Sequence, residues 1–510
     1  MRLVRLLCLL TLATYAPHAR AAAPKPAPAD AADTAKTDAA EEAPVVTQHE
    51  LRLDGKLLKY TVTTGLMPLK NEEGDVEARI FYMAYALERT GGPETRPLMF
   101  SFNGGPGSSS VWLHLGALGP KRVAMEPDGS MPAPPYKLID NPHTWLGMTD
   151  LVFIDPVGTG YSRPAKPELG KKYWSLKGDI ESVGEFMRLY LTRHERWTSP
   201  LFLVGESYGT TRAAGLSGYL QERHGMFLNG LMLVSSILNF QTARFAPGND
   251  LPYPLFLPTY TATAFHHHAL ADDLQRDLGA TLAEVEAWAA GEYTQALAKG
   301  DRLTPAERQA VVERLARYTG LSAEYVGRSD LRVEIGKFRK ELLRARRRSV
   351  GRLDSRFLGI DPSATDDRPD FDPSLAAIRP PYTAAFNDYV RRTLGYKTDL
   401  TYHILGGGIA TPWDFGPAAD GYPDTSEALR DALARNPDMR VYVASGYFDL
   451  ATPYFATQYT LAHMGLDPSE RARIHTGTYE AGHMMYIHEG ELAKLQGEVA
   501  AFVKDALAPR

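Results

Sequence analysis

A chain of 510 residues with 44% hydrophobic and 23% charged side chains lies in the range of ordinary globular proteins, which excludes a wholly disordered, collagen-like or coiled-coil polypeptide. Its net charge of −5 offers no basic footprint for nucleic acid. A single cysteine, Cys8, excludes an intramolecular disulfide framework and any cysteine-ligated zinc site.

Arg2 and Arg5 precede the short apolar run from Leu6 to Ala13, and Ala19-Arg20-Ala21 follows. Basic residues, a short apolar run and small residues at a cut predict a secretory signal peptide over 1–21. The run is too short to span a bilayer. Cys8 lacks a lipoprotein context and reads as one more apolar residue. Cleavage would leave a more acidic, cysteine-free chain, exported to the periplasm or secreted. No later run is long enough for a membrane helix, so no stable membrane insertion is expected. Residues 22–45, rich in Ala, Pro, Asp, Lys and Glu, predict a disordered linker.

Folded sequence is expected from 46. Period-two segments such as Leu58-Lys59-Tyr60-Thr61-Val62 predict antiparallel strands over about 46–96. Continuous apolar runs follow: Pro97–Phe102, Leu151–Ile154, Leu201–Val204, Leu231–Val234 and Val441–Ala444. Runs without alternation suit strands buried on both faces of a parallel sheet. Helix-like stretches such as Asp179–Arg193 lie between them. The order predicts a doubly wound α/β core over 46–250 and 400–510. Residues 251–399 predict a helical cap insertion. Thr281-x-x-Glu284 and Thr304-Pro305-Ala306-Glu307 read as capping boxes, the second with proline at the first helical position. Leu331, Ile335, Phe338 and Leu342 recur at helical spacing.

Four motifs carry chemistry. Gly205-Glu206-Ser207-Tyr208-Gly209 follows the Leu201–Val204 strand and precedes the helix-like stretch Thr210–Leu220. In that context G-x-S-x-G makes a sharp strand-to-helix turn that presents the serine hydroxyl. Asn103-Gly104-Gly105-Pro106-Gly107-Ser108-Ser109-Ser110 is a glycine-rich loop after an earlier strand. Such a loop supplies one oxyanion donor, and the residue after the nucleophile supplies the other. Those residues are Gly105 and Tyr208. A phosphate-cradling role would need the lysine of a Walker motif, which is missing. Gly158-Thr159-Gly160 lacks the third glycine of a dinucleotide loop and reads as a turn. Asp449 follows the Val441–Ala444 strand, and His483 lies further on in Glu480-Ala481-Gly482-His483-Met484. The order Ser, Asp, His is that of an α/β-hydrolase triad.

Together with Asp155-Pro156-Val157-Gly158-Thr159-Gly160-Tyr161-Ser162, these motifs run from residue 100 to 484, and the sequence resembles the serine carboxypeptidase family, in a bacterial-looking branch. The resemblance implies an α/β-hydrolase core with a mixed, mostly parallel central sheet. It implies Ser207 as nucleophile, His483 as base and acid, Asp449 as orienter, and Gly105 and Tyr208 as oxyanion donors. It places Asn103, Gly104, Glu206 and Met484 against a peptide substrate and implies no metal or cofactor. The family grips a C-terminal carboxylate with the motif asparagine and a pair of acids. Asn103 and Glu206 supply two of these three groups. One carboxyl must then carry a proton, so Glu206 is expected to have a raised pKa. Ala117 stands where the second acid would fall, and Ser108 where the family has a disulfide cysteine.

Other features read as structural. His266-His267-His268 sits on no shared helix face and predicts cap packing rather than metal. Arg344, Arg346, Arg347 and Arg348 predict a salt-bridged helix face. Trp112, Tyr253 and Phe256 could line a pocket but read first as packing residues. The leading functional expectation is an exported serine carboxypeptidase. An esterase or acyltransferase using the same triad is the alternative. A non-catalytic binding protein of the same fold is a second one.

Overall fold

The computed structural model describes residues 43–88, 96–416 and 421–508. The expected signal peptide at 1–21 and the linker at 22–45, up to residue 42, lie outside the described residues. Among the described residues the main sheet has ten strands. Its nine longer strands in chain order are β1 (Val45–Leu53), β2 (Lys56–Lys70), β3 (Val76–Leu87), β4 (Leu98–Phe102), β5 (Asp150–Ile154), β6 (Leu201–Glu206), β7 (Gly230–Val234), β8 (Arg440–Gly446) and β9 (Ile474–Tyr479). The two-residue strand Arg163–Pro164 pairs with β3.

Hydrogen bonding orders the sheet β1-β2-β3-β5-β4-β6-β7-β8-β9. β1, β2 and β3 form an antiparallel meander, and β3 also runs antiparallel to β5. From β5 to β9 every neighbouring pair is parallel. The sheet is therefore mixed and mostly parallel, with helices packed on it. Every residue of β4, β5, β6 and β7 is buried, the pattern of strands covered on both faces. Alternate side chains feed opposite faces. Met99, Phe153, Val204 and Met232 enter one apolar cluster. Leu98, Phe100, Val152, Leu203 and Leu231 enter the other. Each such side chain contributes roughly 1.5–3 kcal/mol when fully buried.

Helices α1 (Leu176–Arg193) and α2 (Tyr208–His224) close the second face through Val183, Phe186, Ala213 and Leu216. The C-terminal helix Glu489–Ala506 covers the first face with Leu492, Leu495 and Val499. β9 was not foreseen. Its sequence, Ile-His-Thr-Gly-Thr-Tyr, has no apolar run, because it forms the outer edge of the sheet beside β8 alone.

Beyond residue 250 the chain builds α3 (Pro252–His266), α4 (Leu278–Trp288), α5 (Pro305–Thr319) and α6 (Ile335–Glu341) around a third apolar cluster. Phe338 stacks on Tyr260 at a 4.0 Å centroid distance inside it. Thr304 caps α5 with the expected box: Glu307 N–H donates to its Oγ1 at 3.2 Å, and Glu307 Oε2 accepts from its N–H at 2.8 Å. Three expectations are corrected here. Thr281 lies inside α4, whose cap is Asp277, accepting from Ala280 N–H at 2.9 Å. Leu331 has φ +63° and sits in a turn before α6. The arginines at 344–348 occupy a short 3-10 turn and then a strand, because Arg347 adopts a left-handed conformation that ends the helix.

The segment after α6 is not wholly helical either. Arg348–Val350 and Leu358–Ile360 form an antiparallel hairpin. The following α7 (Pro373–Asp388) buries Ile378, Tyr382 and Phe386 in the sheet-side cluster rather than in the helical one. Leu353 and Phe357 already pack against that sheet-side cluster, so packing returns to the core well before the expected boundary at 399. No helix of the described residues is long and apolar enough to cross a membrane.

Candidate active site

Parallel strands bring their carboxyl ends to one edge of the sheet. There Asn103 follows β4, Ser207 follows β6, Ser235 follows β7, and the loops after β8 and β9 carry Asp449 and His483.

Ser207 has φ 60° and ψ −131°, a conformation costing a non-glycine residue about 1–3 kcal/mol. The turn is over-determined by its neighbours. Ser207 N–H donates to Val234 O at 3.0 Å. A Cβ on Gly205 would lie 2.2 Å from the Gly209 carbonyl oxygen, so only glycine lets strand and helix pass there. The hydroxyl is thereby lifted to the cavity wall.

His483 is fixed through its backbone. Its N–H donates to Leu353 O at 2.6 Å, and its carbonyl accepts from Ser235 Oγ at 2.6 Å. Its Nδ1 lies 2.7 Å from Asp449 Oδ2. The fully buried Asp449 also accepts from Ala451 N–H (2.7 Å), Thr452 N–H (3.1 Å) and Thr452 Oγ1 (2.7 Å). A carboxylate surrounded by donors places the ring proton on Nδ1 and leaves Nε2 basic. Burial alone would lower the His483 pKa. The charge and hydrogen bond of Asp449, with the charge of Glu206, outweigh it, so the net shift is upward.

Ser207 and His483 line one cavity of about 160 Å³ with Asn103, Gly104, Gly105, Glu206 and Met484. No hydrogen bond joins the Ser207 hydroxyl to His483 among the described residues. Such contacts commonly tighten only when substrate is bound.

Glu206 is buried beside them. Asn103 Nδ2 donates to its Oε1 at 2.8 Å, and the Tyr486 hydroxyl donates to Oε2 at 2.5 Å. Burial raises its pKa to about 7, against the opposing effects of His483, Tyr486 and Asn103. The upward direction is the one expected from the sequence.

Gly104 presses on the start of α2. A Cβ there would meet the nitrogens of Tyr208 and Gly209 at 2.5 Å. Tyr208 itself does not line the cavity. Its side chain turns away, donating to Asp179 Oδ2 at 3.2 Å. Its backbone nitrogen opens the helix and has no partner within it. Asp179 and Arg212 form an ion pair at 2.7 Å with both side chains almost fully buried. Arg212 Nη1 also donates to Asn103 O at 2.8 Å, which ties α2 to the glycine-rich loop. The loop after β5 joins the same framework, since Asp155 Oδ1 accepts from Ser110 N–H at 2.8 Å.

Ala117 is fully buried, lies outside the cavity and gives its carbonyl to Asn141 Nδ2 at 2.8 Å. Its neighbour Gly116 packs against the Tyr486 ring, and the Tyr486 hydroxyl supplies the second contact to Glu206. Ser108 lines the cavity and accepts from Trp112 Nε1 at 2.8 Å. Trp112 is thus a wall of the site, whereas Phe256 and Tyr253 belong to the helical cluster. His267 Nε2 bonds the Ser355 carbonyl at 2.7 Å, and His266 meets Phe448 edge-on. Sequence reading missed Thr452, Tyr486 and the residues that 352–353, Leu375, Ile378 and Leu405 contribute. Tyr486 stands three positions after His483, inside a run that reads as plain apolar packing.

A hydroxyl on a strained turn, an imidazole tied to a buried carboxylate and a glycine-rich loop facing them can carry out acyl transfer. Residues 54–277 match the serine carboxypeptidase family model. Serine carboxypeptidase-like 13 of Arabidopsis thaliana is 32% identical over 154 residues, covering 30% of this chain and 33% of that protein. Serine carboxypeptidase-like 10 of the same plant is 29% identical over 196 residues, covering 36% and 41%. The chain thus matches about a third of the length of the first of these relatives. The structure of Kex1(delta)p, a prohormone-processing carboxypeptidase from Saccharomyces cerevisiae, superposes with a TM-score of 0.50 at 17% identity, covering 87% of this chain and 91% of that one. That likeness establishes the α/β-hydrolase fold. These relatives are plant and yeast proteins and lend no support to the bacterial branch.

Proposed function

We propose that this chain is a serine peptidase of the carboxypeptidase type, exported by the signal at 1–21 to the periplasm or medium, as a bacterial branch of the family would be. The observation that carries the reading is the 2.7 Å contact of His483 Nδ1 with Asp449, in a cavity whose wall also holds Ser207. The Ser207 Oγ attacks the scissile carbonyl carbon while His483 Nε2 takes its proton. The Nδ1 proton stays hydrogen-bonded to Asp449, which stabilises the imidazolium. The carbonyl oxygen becomes an oxyanion held by the N–H groups of Gly105 and Tyr208, each donor worth about 3 kcal/mol in such sites. His483 then protonates the departing amine, and the C–N bond breaks. Water, deprotonated by His483, attacks the acyl-serine; the ester bond to Oγ breaks, His483 returns the proton to Oγ, and the acid is released. The substrate is a peptide cut near its C-terminus, with Asn103 and Glu206 next to the leaving residue.

A second reading, esterase or acyltransferase on the same triad, is favoured by one observation: Ala117 supplies no second acid to the cavity. A fluorophosphonate probe followed by mass analysis tests the common machinery. One adduct is expected on Ser207, absent in Ser207→Ala and slowed in His483→Ala. An unlabelled native protein overturns the catalytic reading and revives a binding protein of this fold. Mass analysis of a peptide library then separates the readings: loss of single C-terminal residues supports the carboxypeptidase, and turnover of esters alone overturns it.

A further inference from the structure

Arg352 lines the cavity that holds Ser207 and His483, and is the only arginine or lysine among the lining residues described. It belongs to the turn of the hairpin between α6 and α7, far in sequence from every motif of the site. Its backbone is held on both sides. The N–H donates to Asp372 Oδ1 at 2.9 Å, and the carbonyl accepts from Leu450 N–H at 3.1 Å. The next residue, Leu353, accepts the His483 N–H. The arginine is therefore anchored to the loops that carry both Asp449 and His483.

Its side chain is exposed, and no carboxylate or carbonyl among the described residues pairs with the guanidinium. The nearby Asp372 is occupied: it caps α7 through Ser374, at 3.1 Å to N–H and 2.6 Å to Oγ, and lies 3.7 Å from Arg339. The remaining walls are apolar, formed by Trp112, Leu353, Leu375, Ile378 and Leu405. Both Glu206 oxygens already accept from Asn103 and Tyr486, and no second acid reaches the cavity. A ligand carboxylate entering this space meets one permanent positive charge, that of Arg352. Guanidinium geometry matches a carboxylate through two parallel N–H···O bonds.

We propose that Arg352 is the specificity residue that receives the terminal carboxylate of the substrate. The inference rests on the peptidase reading and deepens it. It replaces an acid pair that must share a proton with a group charged at every physiological pH. Carboxylate recognition then persists above pH 7, where Glu206 is largely ionised.

Calorimetric titration of the full chain at pH 8 tests this without needing turnover, so failure of the inference is separable from failure of probe labelling at Ser207. The ligands are N-acetyl-phenylalanine, its C-terminal amide, and the α-amide of N-acetyl-glutamate, whose only carboxylate is on the side chain. The wild type is expected to bind the free acid about tenfold or more tighter than the amide. Arg352→Ala should abolish that acid-over-amide ratio, and Arg352→Lys should restore part of it. A ratio unchanged in Arg352→Ala, including one where both ligands weaken together as a purely structural role would cause, overturns the proposal. So does an Arg352-dependent gain seen only with the glutamate α-amide, which would assign the arginine to an acidic side chain.

Discussion

Four donors converge on the Asp449 carboxylate, and one of them is the ring of His483. Asn at 449 keeps the shape but offers an amide where an acceptor is required, so the imidazole loses its tautomer and the partner of its cationic form. Asp449→Asn is expected to lower kcat by about 10³–10⁴-fold with KM changed far less, measured on whichever substrate the library yields. A loss below tenfold would show that Asp449 does not orient the base. Glu206 makes the opposite compromise, since burial disfavours its charge more than His483, Tyr486 and Asn103 favour it. Its pKa rises from 4.5 to about 7 on folding, with burial as the leading cause. The folded state therefore binds this proton more tightly than the unfolded chain. The corresponding stability is fully present below pH 4.5 and is lost as pH rises through about 7. Glu206→Gln removes that titration. Between pH 5 and pH 8 the wild type should lose up to about 3 kcal/mol that the variant retains, read from urea midpoints at the two pH values. Equal declines in both proteins would place the titration elsewhere.

At the scale of elements, the strands that position the site were legible because burial on both faces writes an unbroken apolar run, as in Leu151–Ile154 and Leu231–Val234. The nucleophile turn was legible for a related reason, since Gly205 and Gly209 have no alternative where strand and helix touch. β9 was not, because an edge strand with polar neighbours carries no such run. Thr281 shows a different limit: a capping signature inside α4 lost to Asp277, which starts the helix one turn earlier. Arg352 and Tyr486 were out of reach, since only tertiary packing brings Arg352 to the cavity wall and Tyr486 to Glu206. The same packing joins α2 to α1 and to the glycine-rich loop through Arg212, which pairs with Asp179 and donates to the Asn103 carbonyl. Removing one partner leaves a buried charge alone. Arg212→Met should therefore destabilise by roughly 3–5 kcal/mol, and pairing it with Asp179→Leu should recover a good part of that. A double-mutant cycle on urea unfolding measures both. Strict additivity of the two losses would mean that the pair contributes no coupling.

The whole molecule depends on how the helical segment is bound to the sheet domain. The described residues form one compact unit, yet the apolar packing has more than one centre. The helical centre around Tyr260, Trp288 and Phe338 includes Leu450, the residue after Asp449. Further ties cross the boundary: Tyr454 OH donates to Glu286 Oε1 at 2.6 Å, and Leu353 O accepts from His483 N–H. The helical segment thus packs against the loop of the acid and hydrogen-bonds the loop of the base, and its loss would release both. Phe338 is fully buried and stacked on Tyr260. Phe338→Ala leaves a cavity that should cost about 3–5 kcal/mol. Because the helical centre is tied to the loops of Asp449 and His483 through Leu450 and Leu353, the variant is expected to unfold in one transition shifted as a whole, with probe labelling of Ser207 lost at the same denaturant concentration as far-ultraviolet ellipticity. A separate early transition, with Ser207 still labelled after the helical segment has melted, would show that the triad stands on the sheet domain alone.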